Sequence, residues 1–228
     1  MVKRKPELVV FDMDGVLVDV RESFHRTILQ TVRHFTGQRV SRAEIQSWKN
    51  RSGYNDDWRL TTDWVRSLGG RASYEEVKRQ FERFYWDGEG EGNVARERWL
   101  LARDRLRRWA RRTELAIFTG RSRRELQHTL ERFRVERYFR RTVTMDDVQR
   151  PKPDPEGLWR ILNGGDPASA LSLGDNIDDA LAARRCGMDF VAVLPRNSEA
   201  RRLRAARLRR AGASMILDNV NQLERWLE

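Results

Sequence analysis

Short apolar runs, each closed by polar or turn-forming residues, alternate along this chain with longer segments of helical period. The runs are Leu8–Phe11, Leu115–Phe118, Thr142–Met145, Ala170–Leu173, Phe190–Leu194 and Met215–Leu217. Segments this short and this apolar read as strands covered on both faces, the pattern of a parallel sheet. Helical segments connect them: Arg123–Phe133, Glu156–Leu162, Asp178–Cys186 and Glu199–Ala211, with Asn219–Leu227 closing the chain. The alternation predicts an α/β fold, a doubly wound parallel sheet.

The stretch between Phe11 and Leu115 breaks this rhythm. It holds no convincing strand, but several helical stripes: Phe24, Ile28, Val32 and Phe35; Leu60, Trp64 and Leu68; Val77, Phe81 and Phe84. Ser41 to Glu44 and Ser73 to Glu76 have capping-box spacing. The run Gly88 to Gly92 reads as a flexible joint, and Trp99, Ala102, Leu106 and Trp109 mark a helix returning to the core. Residues 1–19 and 93–228 are therefore expected to form the core, and residues 20–92 an inserted α-helical cap.

Charge asks for an explanation. Lys and Arg total 45 against 34 Asp and Glu, a net of +11, which points to an anionic partner: nucleic acid, an acidic membrane or a phosphorylated substrate. The only lysines are Lys3, Lys5, Lys49, Lys78 and Lys152, so nearly all the excess is arginine. Arg201–Arg210 reads as the solvated face of a core helix, with Leu203, Ala206 and Ala211 as its apolar stripe. It lacks the interleaved aromatics of a single-strand binder, and nucleic acid is not the expected partner. No apolar run approaches a membrane span, and Leu8–Phe11 is too short for a signal peptide, so a cytoplasmic protein without a membrane partner is expected. One cysteine, Cys186, excludes an intrachain disulfide and reads as a small buried residue.

The chemistry gathers at strand ends. Phe11-Asp12-Met13-Asp14-Gly15-Val16 follows the first run, putting two carboxylates and a glycine where an open α/β sheet binds its ligands. Phe118-Thr119-Gly120-Arg121 follows the second, where a hydroxyl, an amide and a helix N-terminus make an anion cradle. Lys152, between Pro151 and Pro153, follows the third. Gly174-Asp175-Asn176-Ile177-Asp178-Asp179 follows the fourth, and its carboxylates suit a hard cation such as Mg²⁺. Singly, each has a plainer reading: a turn, a helix cap, a solvated lysine, a capping cluster. Together, at successive strand ends, they are hard to explain that way.

The series D-x-D-G-V, h-h-T-G, K-P and G-D-x-x-x-D resembles the haloacid dehalogenase superfamily of phosphohydrolases. The helical insert after the first motif resembles its subfamily I with a C1-type cap, the phosphoglycolate phosphatase and β-phosphoglucomutase group. The resemblance spans essentially the whole chain and implies a Rossmann-like core. It implies that Asp12 is a nucleophile forming an aspartyl-phosphate and that Asp14 is the general acid/base. Thr119 and the Gly120 amide would hold the phosphoryl group, and Lys152 would neutralise nucleophile and phosphate. Mg²⁺ would be held by Asp12, the Asp14 carbonyl, Asp175 and Asp179; Asp179 matches the second acidic position of the last motif and Asp178 the variable place before it. An aspartate at position 14 favours phosphate esters over carbon–halogen or carbon–phosphorus bonds. The implied function is a Mg²⁺-dependent phosphatase for a small phosphorylated metabolite. The alternatives are a sugar phosphomutase of β-phosphoglucomutase type and, from a different class, a nucleic-acid-binding or polynucleotide 3′-phosphatase module.

In the insert, Trp48 to Trp58 is rich in polar and aromatic residues around Gly53. It resembles the specificity loop of capped members, and also a subgroup linked to histidine biosynthesis. Lys49 and Asn55 are its candidates for holding the leaving moiety. The alternative is a helix–helix turn with an N-cap at Asn55 or Asp56.

Overall fold

The computed structural model describes residues 5–49, 51–90, 92–198 and 200–227. In chain order the elements are β1 (Leu8–Phe11), β2 (Val18–Asp19), α1 (Phe24–Thr36), α2 (Arg42–Lys49), α3 (Asp57–Ser67), α4 (Tyr74–Gly90), β3 (Arg98–Trp99), α5 (Arg103–Ala110), β4 (Glu114–Phe118), α6 (Arg123–Phe133), β5 (Arg141–Val143), α7 (Glu156–Leu162), β6 (Ala170–Gly174), α8 (Ile177–Cys186), β7 (Asp189–Val193), α9 (Arg201–Ala211), β8 (Ala213–Leu217) and α10 (Glu224–Leu227). Two compact units result: Met1–Val18 with Trp99–Glu228, and Asp19–Arg98.

The first unit is built on a six-stranded sheet in the order β5-β4-β1-β6-β7-β8, parallel throughout. β1 is central: Phe11 aligns with Ile117 of β4 on one side and with Leu173 of β6 on the other. The chain leaves β1 towards β4 and β5, then returns to β6 across β1. That reversal of direction opens a crevice beyond the carboxyl ends of β1, β4 and β6. Alternation along the strands divides the core between the two faces. Leu8, Val10, Ala116 and Phe118 join one cluster with Leu158, Ile161 and Leu162 of α7, Ala183 of α8 and Leu208 of α9. Phe11 meets Phe139 edge to face at 6.3 Å, and Trp99 lies 5.8 Å from Phe133.

Several expectations need correction. β2 and β3 form a two-stranded ribbon where no strand is expected; two residues are too few for a period-two pattern to register. The glycine run expected as a joint extends α4 to Gly90, while Glu91 lies outside the described residues, as do Glu199 at the expected start of the penultimate helix and the first four residues. The α9 stripe is Arg204, Ala205, Leu208 and Ala211; Leu203, expected inside, is half exposed. Ala206, also expected inside, is exposed, and Arg204 takes an inner-face position.

The second unit packs α1 against α3 and α4. Phe24, Ile28 and Val32 of α1, Leu60, Trp64 and Val65 of α3, and Val77, Phe81 and Tyr85 of α4 are buried, and the Phe24 ring lies 4.5 Å from that of Tyr85. Phe35, Leu68 and Phe84, expected in the stripes, are only partly buried. Polar ties fix the packing: the Asn93 amide donates to Thr27 Oγ1 at 2.9 Å, and the Tyr85 hydroxyl to Glu97 at 2.8 Å. At the expected capping boxes, the Ser41 and Ser73 backbone amides donate to Glu44 and Glu76.

Gly157 sets how closely α7 approaches β4. A Cβ there would lie 2.3 Å from the Phe118 ring. Gly157→Ala is expected to cost about 1–3 kcal/mol of overpacking, against at most ~1 kcal/mol returned by helix propensity. A lowered urea midpoint with unchanged slope is the measurement.

Candidate active site

Asp12 is the first residue beyond β1, and its amide still belongs to the sheet, donating to the Leu173 carbonyl at 2.8 Å. Its carboxylate is buried at the head of the crevice. Lys152 reaches it from the loop after β5. The Lys152 ammonium donates to Asp12 Oδ1 (2.8 Å), Asp179 Oδ1 (2.7 Å) and the Phe118 carbonyl (2.7 Å), with the Phe118 ring 4.6 Å away. Burial is the largest influence on Asp12, and Lys152 pulls against it. With Asp179, Asp14 and Asp175 adding repulsion, the Asp12 pKa is pushed up to about 8. Burial also works against the charge of Lys152, but attraction to Asp12 and Asp179 holds its pKa above the ordinary lysine value.

Asp14 lies one residue past Met13, in a tight loop that the Gly15 amide closes by donating to the Val18 carbonyl at 2.8 Å. Gly15 has φ +75°, and a Cβ on it would fall 2.5 Å from Asp175 Oδ2. Only glycine allows the first and last motifs to touch here. Thr119 is buried at the end of β4, its amide donating to the Val143 carbonyl at 3.0 Å. Gly120 is partly exposed beside it. Ser122 then caps α6 through a reciprocal bond with Glu125.

Asp175 and Asp179 open α8. Asn176 caps the helix, and Asp179 accepts from the backbone amides of Asp175 and Asn176 at 3.2 Å each. Asp178 is buried, its amide donating to Asn176 at 2.8 Å. Asp12, Asp175 and Asp179 each offer a carboxylate oxygen within 4.8 Å of the others, a donor set suited to a hard divalent cation.

Two arginines in this neighbourhood were not singled out by sequence reasoning. Arg121 is buried, and its Nε and Nη2 lie 2.8 and 2.6 Å from Asp14 Oδ1. Arg204 of α9 donates to the Asp175 carbonyl at 3.3 Å and sits 3.8 Å from its carboxylate. In a chain with 45 basic residues an inward arginine carries no compositional mark. The one available signal is that Arg121 shares a loop with Thr119 and Gly120.

In the helical unit, Lys49 pairs with Asp57 at 3.0 Å, tying α2 to α3. Asn55 does not cap α3; Asp56 does, accepting from the Trp58 and Arg59 amides. Asn50 lies outside the described residues. Cys186 is buried, which pushes its thiol up to about 11. Among the described residues no helix is long and apolar enough to cross a membrane.

The model of the haloacid dehalogenase-like hydrolases matches residues 6–187, covering all four strand-end motifs. The chain belongs to this family. A Phytophthora nicotianae protein named imidazoleglycerol-phosphate dehydratase is 32% identical over 82% of this chain, which spans 43% of that longer protein. A Bacillus velezensis protein named pyrophosphatase PpaX is 25% identical over 85% of each chain. A Haemophilus somnus structure, titled a predicted phosphoglycolate phosphatase, superposes with a TM-score of 0.79 over 98% of this chain and 99% of its own, at 20% identity. That likeness bears on the fold. The chain is a hydrolase, and the strand-end carboxylates are its candidate active site.

Removing the ammonium should show how far the site depends on it. Asp12 has its pKa raised above the unfolded value, so the folded state binds the extra proton between roughly pH 4 and 8 and stability falls as pH rises through that window. Lys152→Met is expected to cost about 3–5 kcal/mol at pH 8, where two buried carboxylates lose their partner. At pH 5, where the raised Asp12 pKa puts more of its proton in place, the loss should be smaller. Urea denaturation in EDTA at both pH values measures the difference.

Proposed function

We propose that this chain is a phosphatase that hydrolyses a small phosphorylated metabolite through an aspartyl-phosphate on Asp12. One observation carries the reading: a buried carboxylate at the central strand end, bonded to a buried lysine, with Asp175 and Asp179 on one side and Asp14 two residues on. A carboxylate attacking a phosphate dianion needs its surroundings to cancel charge. The similarity to relatives named as acting on phosphorylated compounds supports this choice.

In the first half-reaction an Asp12 oxygen bonds to phosphorus as the ester bond breaks, and Asp14 gives its proton to the departing oxygen. In the second, Asp14 takes a proton from water, which attacks the aspartyl-phosphate and returns Asp12 and inorganic phosphate. Two easier steps replace one difficult one. Thr119 and the Gly120 amide hold the transferring group, and Lys152 neutralises Asp12 and the phosphoryl oxygens. Asp12, Asp175, Asp179 and the Asp14 carbonyl would hold Mg²⁺, which when bound supplies positive charge opposite the phosphoryl oxygens. Asp179 is fixed in direction by the Lys152 ammonium and two backbone amides. Asp19–Arg98 would serve as the cap, with Lys49 and Asn55 as its candidate specificity residues.

A screen of phosphorylated compounds with Mg²⁺, including phosphoglycolate, sugar phosphates, nucleotides, pyrophosphate and histidinol phosphate, tests the activity. Asp12→Asn and EDTA should each abolish phosphate release, and Mg²⁺ should raise the melting temperature of the wild type but not of Asp175→Asn. Turnover surviving both Asp12→Asn and EDTA would falsify the mechanism. For the cap, Lys49→Ala should raise KM for the best substrate far more than it lowers kcat. Unchanged constants would remove Lys49 from the specificity set.

A further inference from the structure

We propose that Arg121 is a positioning residue for Asp14, holding one carboxylate oxygen so that the other faces the oxygen leaving with the alcohol. The assignment rests on the phosphatase reading above and extends it to a residue outside the four motifs' reacting groups.

The geometry is specific. Arg121 is 2% exposed, although its neighbours in the sequence include some of the most basic segments of the chain. Its Nε and Nη2 converge on the same atom, Asp14 Oδ1, at 2.8 and 2.6 Å. Asp14 Oδ2 has no hydrogen-bond partner among the described residues. A carboxylate gripped at one oxygen cannot rotate about its terminal bond, so the proton-carrying oxygen is fixed in direction. The guanidinium is itself held: Nη1 donates to Thr129 Oγ1 of α6 at 2.6 Å. Its backbone is fixed as well, the amide donating to Thr119 Oγ1 and the carbonyl accepting from the Met145 amide, both at 3.1 Å.

Burying a guanidinium is costly unless it is paired and its donors are satisfied, as they are here by Asp14 and Thr129. What arginine adds is a rigid planar fork of N–H donors, which lysine does not offer. Arg121 also stands two residues after Thr119. The backbone proposed to hold the phosphoryl group therefore also sets the direction of the acid, registering phosphorus and leaving oxygen from one loop. In the step concerned, the proton on Asp14 Oδ2 moves to the leaving oxygen as the ester bond breaks and the Asp12–phosphorus bond forms. The products are the free alcohol, the aspartyl-phosphate and the Asp14 carboxylate.

The distinguishing measurement is leaving-group dependence. The ratio kcat/KM reports the steps up to release of the alcohol. p-Nitrophenolate leaves without a proton, whereas an alkoxide does not. With Mg²⁺ present, Arg121→Met and Asp14→Asn should each lower kcat/KM for glycerol 2-phosphate by about 100-fold or more, and for p-nitrophenyl phosphate by less than roughly fivefold. Arg121→Lys should recover part of the loss, and the double variant should be no slower than Asp14→Asn alone. Circular dichroism and thermal melts verify folding; if Arg121→Met does not fold, Arg121→Gln and Arg121→Lys carry the comparison. Equal losses on both esters, or losses that multiply in the double variant, overturn the positioning role while leaving the phosphatase reading intact. A wild type that releases phosphate from neither ester nor any compound of the screen overturns both.

Discussion

The ammonium of Lys152 is the point on which the active-site end of this sheet depends. It is buried among three acceptors contributed by three chain segments: Asp12 after β1, the Phe118 carbonyl ending β4, and Asp179 on α8. Without it, two carboxylates would share a low-dielectric crevice unopposed, and burial alone already drives Asp12 towards its neutral form. With it, Asp12 is kept beside a cation while Asp175 and Asp179 stay within reach. The same contact that fastens these three segments thus creates the concentrated charge that phosphoryl transfer requires.

Around this centre the parallel sheet supplies placement rather than chemistry. Because β1 is flanked by β4 on one side and β6 on the other, Asp12, Thr119 and Asp175 emerge side by side. The close approaches are made by residues without side chains. Gly15 lets the Asp14 loop lie against Asp175, and Gly157 brings α7 against the Phe118 ring beneath the lysine. Rigid local caps then fix the loops: Ser122 with Glu125 at α6, Asn176 with Asp179 at α8.

The large positive charge resolves into two populations. Most arginines lie on exposed faces, some in pairs such as Arg196 with Asp218 and Arg160 with Glu156, where ion pairs contribute little. Arg121 and Arg204 are different. They turn inward, and each meets an aspartate of the candidate site. Net charge counts both populations alike, which is why it first points to a polyanion and says nothing of the site.

Much of this architecture was legible in the order of residues. A run such as Leu8–Phe11 must be covered on both faces, and chemistry at the end of such a run must face the same edge as that of its parallel neighbours. Those two local rules place Asp12, Asp14, Thr119, Lys152, Asp175 and Asp179 at one edge. They do not say which partner each charge takes. The inward turn of Arg204 shifts the α9 stripe away from Leu203, and only its place beside Thr119 and Gly120 sets Arg121 apart from the exposed arginines near it in sequence. The ribbon of β2 and β3 is too short to carry a pattern. Strand and helix identity follow from the periodicity of neighbouring residues. The pairing of a buried charge depends on distances between segments more than a hundred residues apart, Arg121 and Asp14 being separated by 107, and only the folded chain sets those distances.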